Sequence, residues 1–126
     1  MTNAIVSTDA APAAIGTYSQ AVQTGNLTFI SGQIPLDPAT MEIVSDDFTA
    51  QARQVFKNLH AVANAAGPGL KSCVKLTVYL TNLDDFQQLN EVMTEFVAEP
   101  YPARAAVQVA ALPKGALIEI DAILAE

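Results

Sequence analysis

Residues 101–124 read YPARAAVQVAALPKGALIEIDAIL, two apolar runs joined by the turn Leu112-Pro113-Lys114-Gly115. Side chains alternate across a strand, so the first run sets Ala103, Ala105, Val107 and Val109 on one face and Arg104, Ala106 and Gln108 on the other. The second run makes one row of Ile118, Ile120, Ala122 and Leu124, and a second of Leu117, Glu119, Asp121 and Ile123. This reading expects Arg104 and Glu119 on a single wall. The neighbouring alanines carry little bulk and leave room beside the guanidinium for a small carboxylate. A structural salt bridge from Arg104 to Glu119 or Asp121 is the other arrangement that these residues allow.

Working back from that stretch, Glu99-Pro100 closes a helical segment whose apolar side is Phe86, Leu89, Met93, Phe96 and Val97, with Asn82 as its cap. Asn90 adjoins Leu89, where its amide can serve a pocket or tie down a loop. Ser72 to Thr81 alternates as a strand, with Val74, Leu76, Val78 and Leu80 on one face and Cys73, Lys75, Thr77 and Tyr79 on the other. Before it, Gly67-Pro68-Gly69 stops a long helix that Asp46 and Asp47 cap. Its buried stripe is Ala52, Val55, Phe56, Leu59, Val62, Ala63 and Ala66. Gln33 to Val44, containing Pro35 and Pro38, reads as a loop with at most one brief extended piece. Ser19–Thr24 and Leu27–Ser31 form a hairpin around Gly25-Asn26. At its end Gly32 can admit a ligand to the backbone or mark a bulge. Ala4 to Ser7 is a short first strand, followed by a loop from Thr8 to Ile15 that leads to Tyr18. The order is strand, hairpin, helix, strand, helix and two strands, which predicts an α+β layer with both helices on one face of a mixed sheet.

A chain of 126 residues is read as one domain, 1–126, large enough to fold without a staple. Cys73 is the lone cysteine, so no intramolecular disulfide can form, and its apolar setting predicts a packed thiol. His60, the only histidine, has no companion ligand near it in sequence and reads as an ordinary helix residue. With 13 acidic against 6 basic residues and a net charge of -7, the chain lacks the basic run that phosphate backbones require, so nucleic acid is not an expected partner. There is neither a long uninterrupted apolar run nor a basic leader, so no membrane contact and a cytoplasmic location are expected. Hydrophobic residues make up 51% and charged ones 15%, an apolar excess that suits burial between subunits.

Residues 102–107, PARAAV, followed by ALPK at 111–114 and IEI at 118–120, resemble the C-terminal signature of the reactive-intermediate deaminase family, RidA, also called YjgF-type. GTYSQA at 16–21 is similar to the family's tyrosine loop, ISGQIP at 30–35 to its Ser-Gly-Gln segment, and Phe86 to Asn90 to its second helix. The resemblance implies a chorismate-mutase-like fold of the bacillus type, assembled as a homotrimer with active sites between subunits. It also implies hydrolysis of 2-imino acids and their enamine tautomers, such as 2-iminobutanoate and 2-iminopropanoate, to 2-oxo acids and ammonia, with no cofactor and no metal. By the same resemblance Arg104 holds the substrate carboxylate and Glu119 activates water. Tyr18, Ser31, Gly32, Asn90 and Ala106 would line the substrate site. Many members carry cysteine where this chain has Ala106, and proline where it has Thr17. The alternatives are a non-catalytic carboxylate-sensing trimer, a ribonuclease or translation inhibitor, and a chaperone-like protein.

Overall fold

Asp47 opens the long helix α1, Phe48–Ala66, by accepting a hydrogen bond from the Ala50 amide through its carboxylate. Gly67 closes it at φ 111°, a left-handed conformation that a side chain would resist, and its amide returns to the Ala63 and Asn64 carbonyls. The computed structural model describes residues 3–126. The strands are β1 Ala4–Val6, β2 Ala21–Thr24, β3 Leu27–Gln33, β4 Cys73–Leu80, β5 Ala103–Gln108 and β6 Ile118–Ala125, and the second helix is α2, Phe86–Met93. They form one six-stranded sheet in the order β1-β2-β3-β6-β4-β5. Only β4 and β5 pair in parallel, because α2 carries the chain across between them. The architecture is α+β, a mixed sheet with two helices, as the order of elements predicts.

One face of the sheet meets α1 and α2. Ile30, Leu76, Val78, Leu80, Ile118, Ile120, Ala122 and Leu124 from the strands bury themselves there against Val55, Phe56, Leu59 and Val62 of α1 and Leu89 and Val92 of α2. The opposite face has no helix over it. Phe29, Val74 and Val107 remain exposed, and Lys75, Thr77, Tyr79 and Ile123 are half-buried.

Several boundaries and faces differ from the sequence reading. The two C-terminal strands do not pair with each other: β6 inserts between β3 and β4, while β5 lies beyond β4 at the sheet edge. Val74 does not share the buried face of Leu76, since the β4–β6 register shifts between Cys73 and Lys75 and the extra residue turns outward. The second helix ends at Met93, and Phe96, in the turn beyond it, stacks on Phe56 with ring centroids 5.3 Å apart. Asn82 caps a short 3-10 turn, Leu83–Asp85, ahead of α2. The expected loop at Gln33–Val44 gives its first residue to β3 and holds one isolated bridge, Leu36 to Ile43. Gly25 takes φ 59° in the β2–β3 turn, as the hairpin requires.

Candidate functional site

Arg104 and Glu119 do not form a single wall within the chain. Arg104 is the parallel partner of Leu76, whose side chain points to the helices, so the guanidinium also turns to that side. Glu119 is the antiparallel partner of Tyr79 and belongs to the uncovered face. The strand β4 separates them in the sheet, and neither the Arg104–Glu119 nor the Arg104–Asp121 ion pair is among the described contacts. The two groups therefore lie on opposite faces, as two candidate half-sites.

The cationic half is built by one side of α2. Phe86, Asn90 and Met93 stand at i, i+4 and i+7 and meet the guanidinium together. Arg104 Nη1 donates to Asn90 Oδ1 at 2.6 Å and lies 3.6 Å from Met93 Sδ, while the guanidinium carbon sits 4.8 Å from the centre of the Phe86 ring. These contacts hold one arm and one face of the fork. Asn90, Met93, Thr94, Tyr101, Pro102 and Arg104 line a cavity of about 470 Å³. Phe86 and Met93 are read in the sequence only as core; their spacing relative to Asn90 is the signal that they also support the cation. Ala106 lies on the same face of β5, half-buried against the core.

The acidic half lies where β3 breaks its register. Between Ile30 and Gln33 the strand advances three residues while β6 advances two, so Ser31-Gly32 forms a bulge. The Ser31 amide donates to the Gln20 carbonyl at 2.9 Å and its hydroxyl donates to the Ser19 carbonyl, which ties the bulge to the segment after Tyr18. The Glu119 carboxylate rests over Gly32. A β-carbon at Gly32 would fall 2.5 Å from one of its oxygens. Glycine there is both a bulge residue and an opening for close approach, by a side chain of this chain. Burial, then the charge of Asp121, raise the Glu119 carboxyl above its usual range. Asp121 in turn accepts from the Tyr79 hydroxyl at 3.1 Å. Tyr18, Ser31, Gly32 and Glu119, with Ile15, Ile34 and Pro113, line a second cavity of about 450 Å³.

Three buried amides that the sequence reading passes over hold the loops around this half. Gln20 donates to the Ala11 and Pro12 carbonyls and accepts from the Thr8 amide. Asn58 donates to the Ile34 and Leu36 carbonyls, and Gln51 accepts from the Leu117 amide ahead of β6. Elsewhere, His60 is exposed on α1 beside Asn64, and Cys73 is half-buried, where burial raises its thiol pKa. Among the described residues no group of three or more His, Cys, Asp and Glu side chains could hold a metal, and no helix is long and apolar enough to cross a membrane.

A family model described as endoribonuclease L-PSP matches residues 8–126, nearly the whole chain. The chain belongs to the RidA family. A crystal structure of RidA from an Antarctic Psychrobacter is 57% identical, with a TM-score of 0.94, over 98% of this chain and 99% of that one. A RutC family protein of Sinorhizobium fredii is 54% identical across 119 residues, 94% of either chain. The human protein named 2-iminobutanoate/2-iminopropanoate deaminase is 45% identical over 94% of this chain and 87% of its own.

Proposed function

We propose that the chain hydrolyses 2-imino acids and their enamine tautomers to 2-oxo acids and ammonia, in clefts that form between copies of a homotrimer. The observation that carries this reading is the split site. A held guanidinium lies at one sheet edge and a raised carboxyl lies on the uncovered face, each open to a cavity. A cleft that joins the β5 edge of one copy to the uncovered face of the next brings both halves to one small anion. The relatives named as imine deaminases support the same reaction.

Arg104 binds the substrate carboxylate with the part of its fork that Asn90 leaves free. A protonated imine is already electrophilic, so the reaction needs orientation and an activated water. Glu119 takes a proton from water as the oxygen adds to C2, giving a carbinolamine. It returns that proton to the nitrogen. As the C–N bond breaks, the carbinolamine hydroxyl gives up its proton to Glu119 and becomes the carbonyl of the 2-oxo acid. That proton passes to the departing ammonia, which leaves as ammonium. A carboxyl raised above its usual range suits both steps, and such acid–base work contributes on the order of 10²- to 10⁴-fold. Tyr18, Ser31, Gly32 and Ala106 shape the walls.

A ribonuclease reading has the description of the family model in its favour. It conflicts with the charge of -7 and with only 6 basic residues, one of which, Arg53, is paired with Glu95.

The test generates 2-iminobutanoate in situ and follows its loss against semicarbazide. Arg104→Ala and Glu119→Gln are each expected to be inactive alone and to regain activity when co-expressed. Random assembly leaves about a quarter of heterologous clefts with both native groups. No recovery in verified mixed oligomers rejects the shared cleft. Unaccelerated imine loss by the native protein, combined with binding of a 2-oxo acid, leaves a carboxylate sensor.

A further inference from the structure

A second chamber adjoins the acidic half-site. Ile15, Tyr18, Gly32, Ile34 and Pro113 line both the cavity that holds Glu119 and a neighbouring one of about 220 Å³. The remaining wall of the neighbour adds the apolar Pro12, Ala13, Leu36 and Met41. Each of its three further polar residues has a backbone partner. Gln20 is bonded to the Thr8, Ala11 and Pro12 backbone, Gln33 donates to the Ser31 carbonyl, and Lys114 Nζ donates to the Met41 carbonyl at 2.9 Å. An occupant of this chamber therefore meets mostly apolar side chains, with the Tyr18 hydroxyl and the Lys114 ammonium as its polar neighbours. The volume exceeds the roughly 150 Å³ of an apolar cavity that accepts benzene.

The chamber is shaped by an uncommon backbone arrangement. Met41 at φ 60° and Lys114 at φ 58° are the two described non-glycine residues with positive φ, and the same hydrogen bond joins them. Left-handed backbone is disfavoured for residues with a β-carbon and persists where the surrounding structure imposes it. Here it turns two separate loops, the one before α1 and the one before β6, toward each other at the chamber wall.

We infer that this chamber is the subsite for the substrate's side chain, and that the chain prefers 2-imino acids bearing a branched aliphatic or aromatic side chain over those bearing a methyl group. The inference rests on the imine-hydrolase reading for its reacting end. Ala13 and Met41 are its specificity-determining residues, since both line the chamber and neither lines the Glu119 cavity.

The test compares three imines made in situ from alanine, leucine and phenylalanine by an amino-acid oxidase, each followed by semicarbazide competition. The ratio of kcat/KM for the isobutyl imine to that for the methyl imine is expected to be at least about 10, the discrimination that apolar contacts of this size supply. Ala13→Phe, at an exposed position, fills the chamber and is expected to lower that ratio at least fivefold. Met41→Gly suits the left-handed backbone, enlarges the space, and is expected to raise turnover of the benzyl imine relative to the isobutyl one. In parallel, calorimetry compares 2-oxopropanoate with 4-methyl-2-oxopentanoate, and the latter is expected to bind more tightly. Active protein whose ratio is near 1, or is unmoved by Ala13→Phe with the fold retained by circular dichroism, overturns the subsite. No turnover of any imine, with 4-methyl-2-oxopentanoate still preferred, rejects the hydrolase reading and upholds the chamber. Equal binding of the two 2-oxo acids rejects the chamber.

Discussion

Gly32 and Glu119 make one unit, because the carboxylate occupies the space that any β-carbon at position 32 would take. The obstacle is the far end of a flexible side chain, so Gly32→Ala should be absorbed by a shift of Glu119 with the sheet unchanged. Urea denaturation is expected to show a stability change within about 1 kcal/mol. Activity should fall on the order of 10²-fold, the scale of an ångström-sized misplacement of a reacting group. Acidity offers a second check on the same carboxyl. Burial and then Asp121 raise the Glu119 pKa, so Asp121→Asn, which keeps an acceptor for the Tyr79 hydroxyl, removes part of the rise. The acid limb of the kcat/KM profile should then move to lower pH. An acid raised by folding makes its own ionisation costly to the native state. The stability that the protonated carboxyl contributes is complete below the ordinary glutamate pKa and is lost as pH climbs through the raised value. Glu119→Gln is accordingly expected to raise Tm at neutral pH, with the gain vanishing in acid.

Helix α1 does more than cover the sheet. Its apolar stripe is legible in the sequence from period alone, and Ala52, Val55, Phe56, Leu59, Val62 and Ala63 are all buried as that period requires. Asn58 and Gln51 share the buried side, which a polarity pattern gives no reason to expect. They are there because the loop before α1 and the approach to β6 have backbone groups that pass beneath the helix and need partners. Asn58→Ala strips the Ile34 and Leu36 carbonyls of a donor and is expected to cost about 1–3 kcal/mol in urea denaturation. Helix α2 is likewise double-purposed: Leu89 and Val92 bury, while Phe86, Asn90 and Met93 reach Arg104. A single helical face read as core is here also the cradle of the cation.

At the scale of the molecule, the sheet is covered on one side only. Its other face offers the exposed Phe29 and Val107 beside the half-buried Lys75, Thr77 and Tyr79, a mixture of apolar and polar side chains of the kind that subunit interfaces bury. Val107 stands on the edge strand, three residues beyond Arg104 and directly opposite Tyr79 in register. Val107→Asp is expected to yield a smaller species in analytical ultracentrifugation, with its far-ultraviolet circular dichroism unchanged and imine hydrolysis lost. A fully assembled, active variant would place the interface elsewhere.

The sequence by itself determined the order and type of the elements, the caps of α1, the buried row of β6 and the motifs that mark the RidA family, because each of these depends on local spacing or local turn chemistry. It did not determine which strands are neighbours. The turn at Leu112–Gly115 suggests a hairpin, yet β6 takes the centre of the sheet and β5 the edge, since pairing is settled by long-range burial of Ile118, Ile120 and Ala122. Only the tertiary structure therefore decided that Arg104 and Glu119 face opposite ways. Side-chain alternation within a strand fixes which residues share a face, but which face meets the helices is decided by the partner strand across the register.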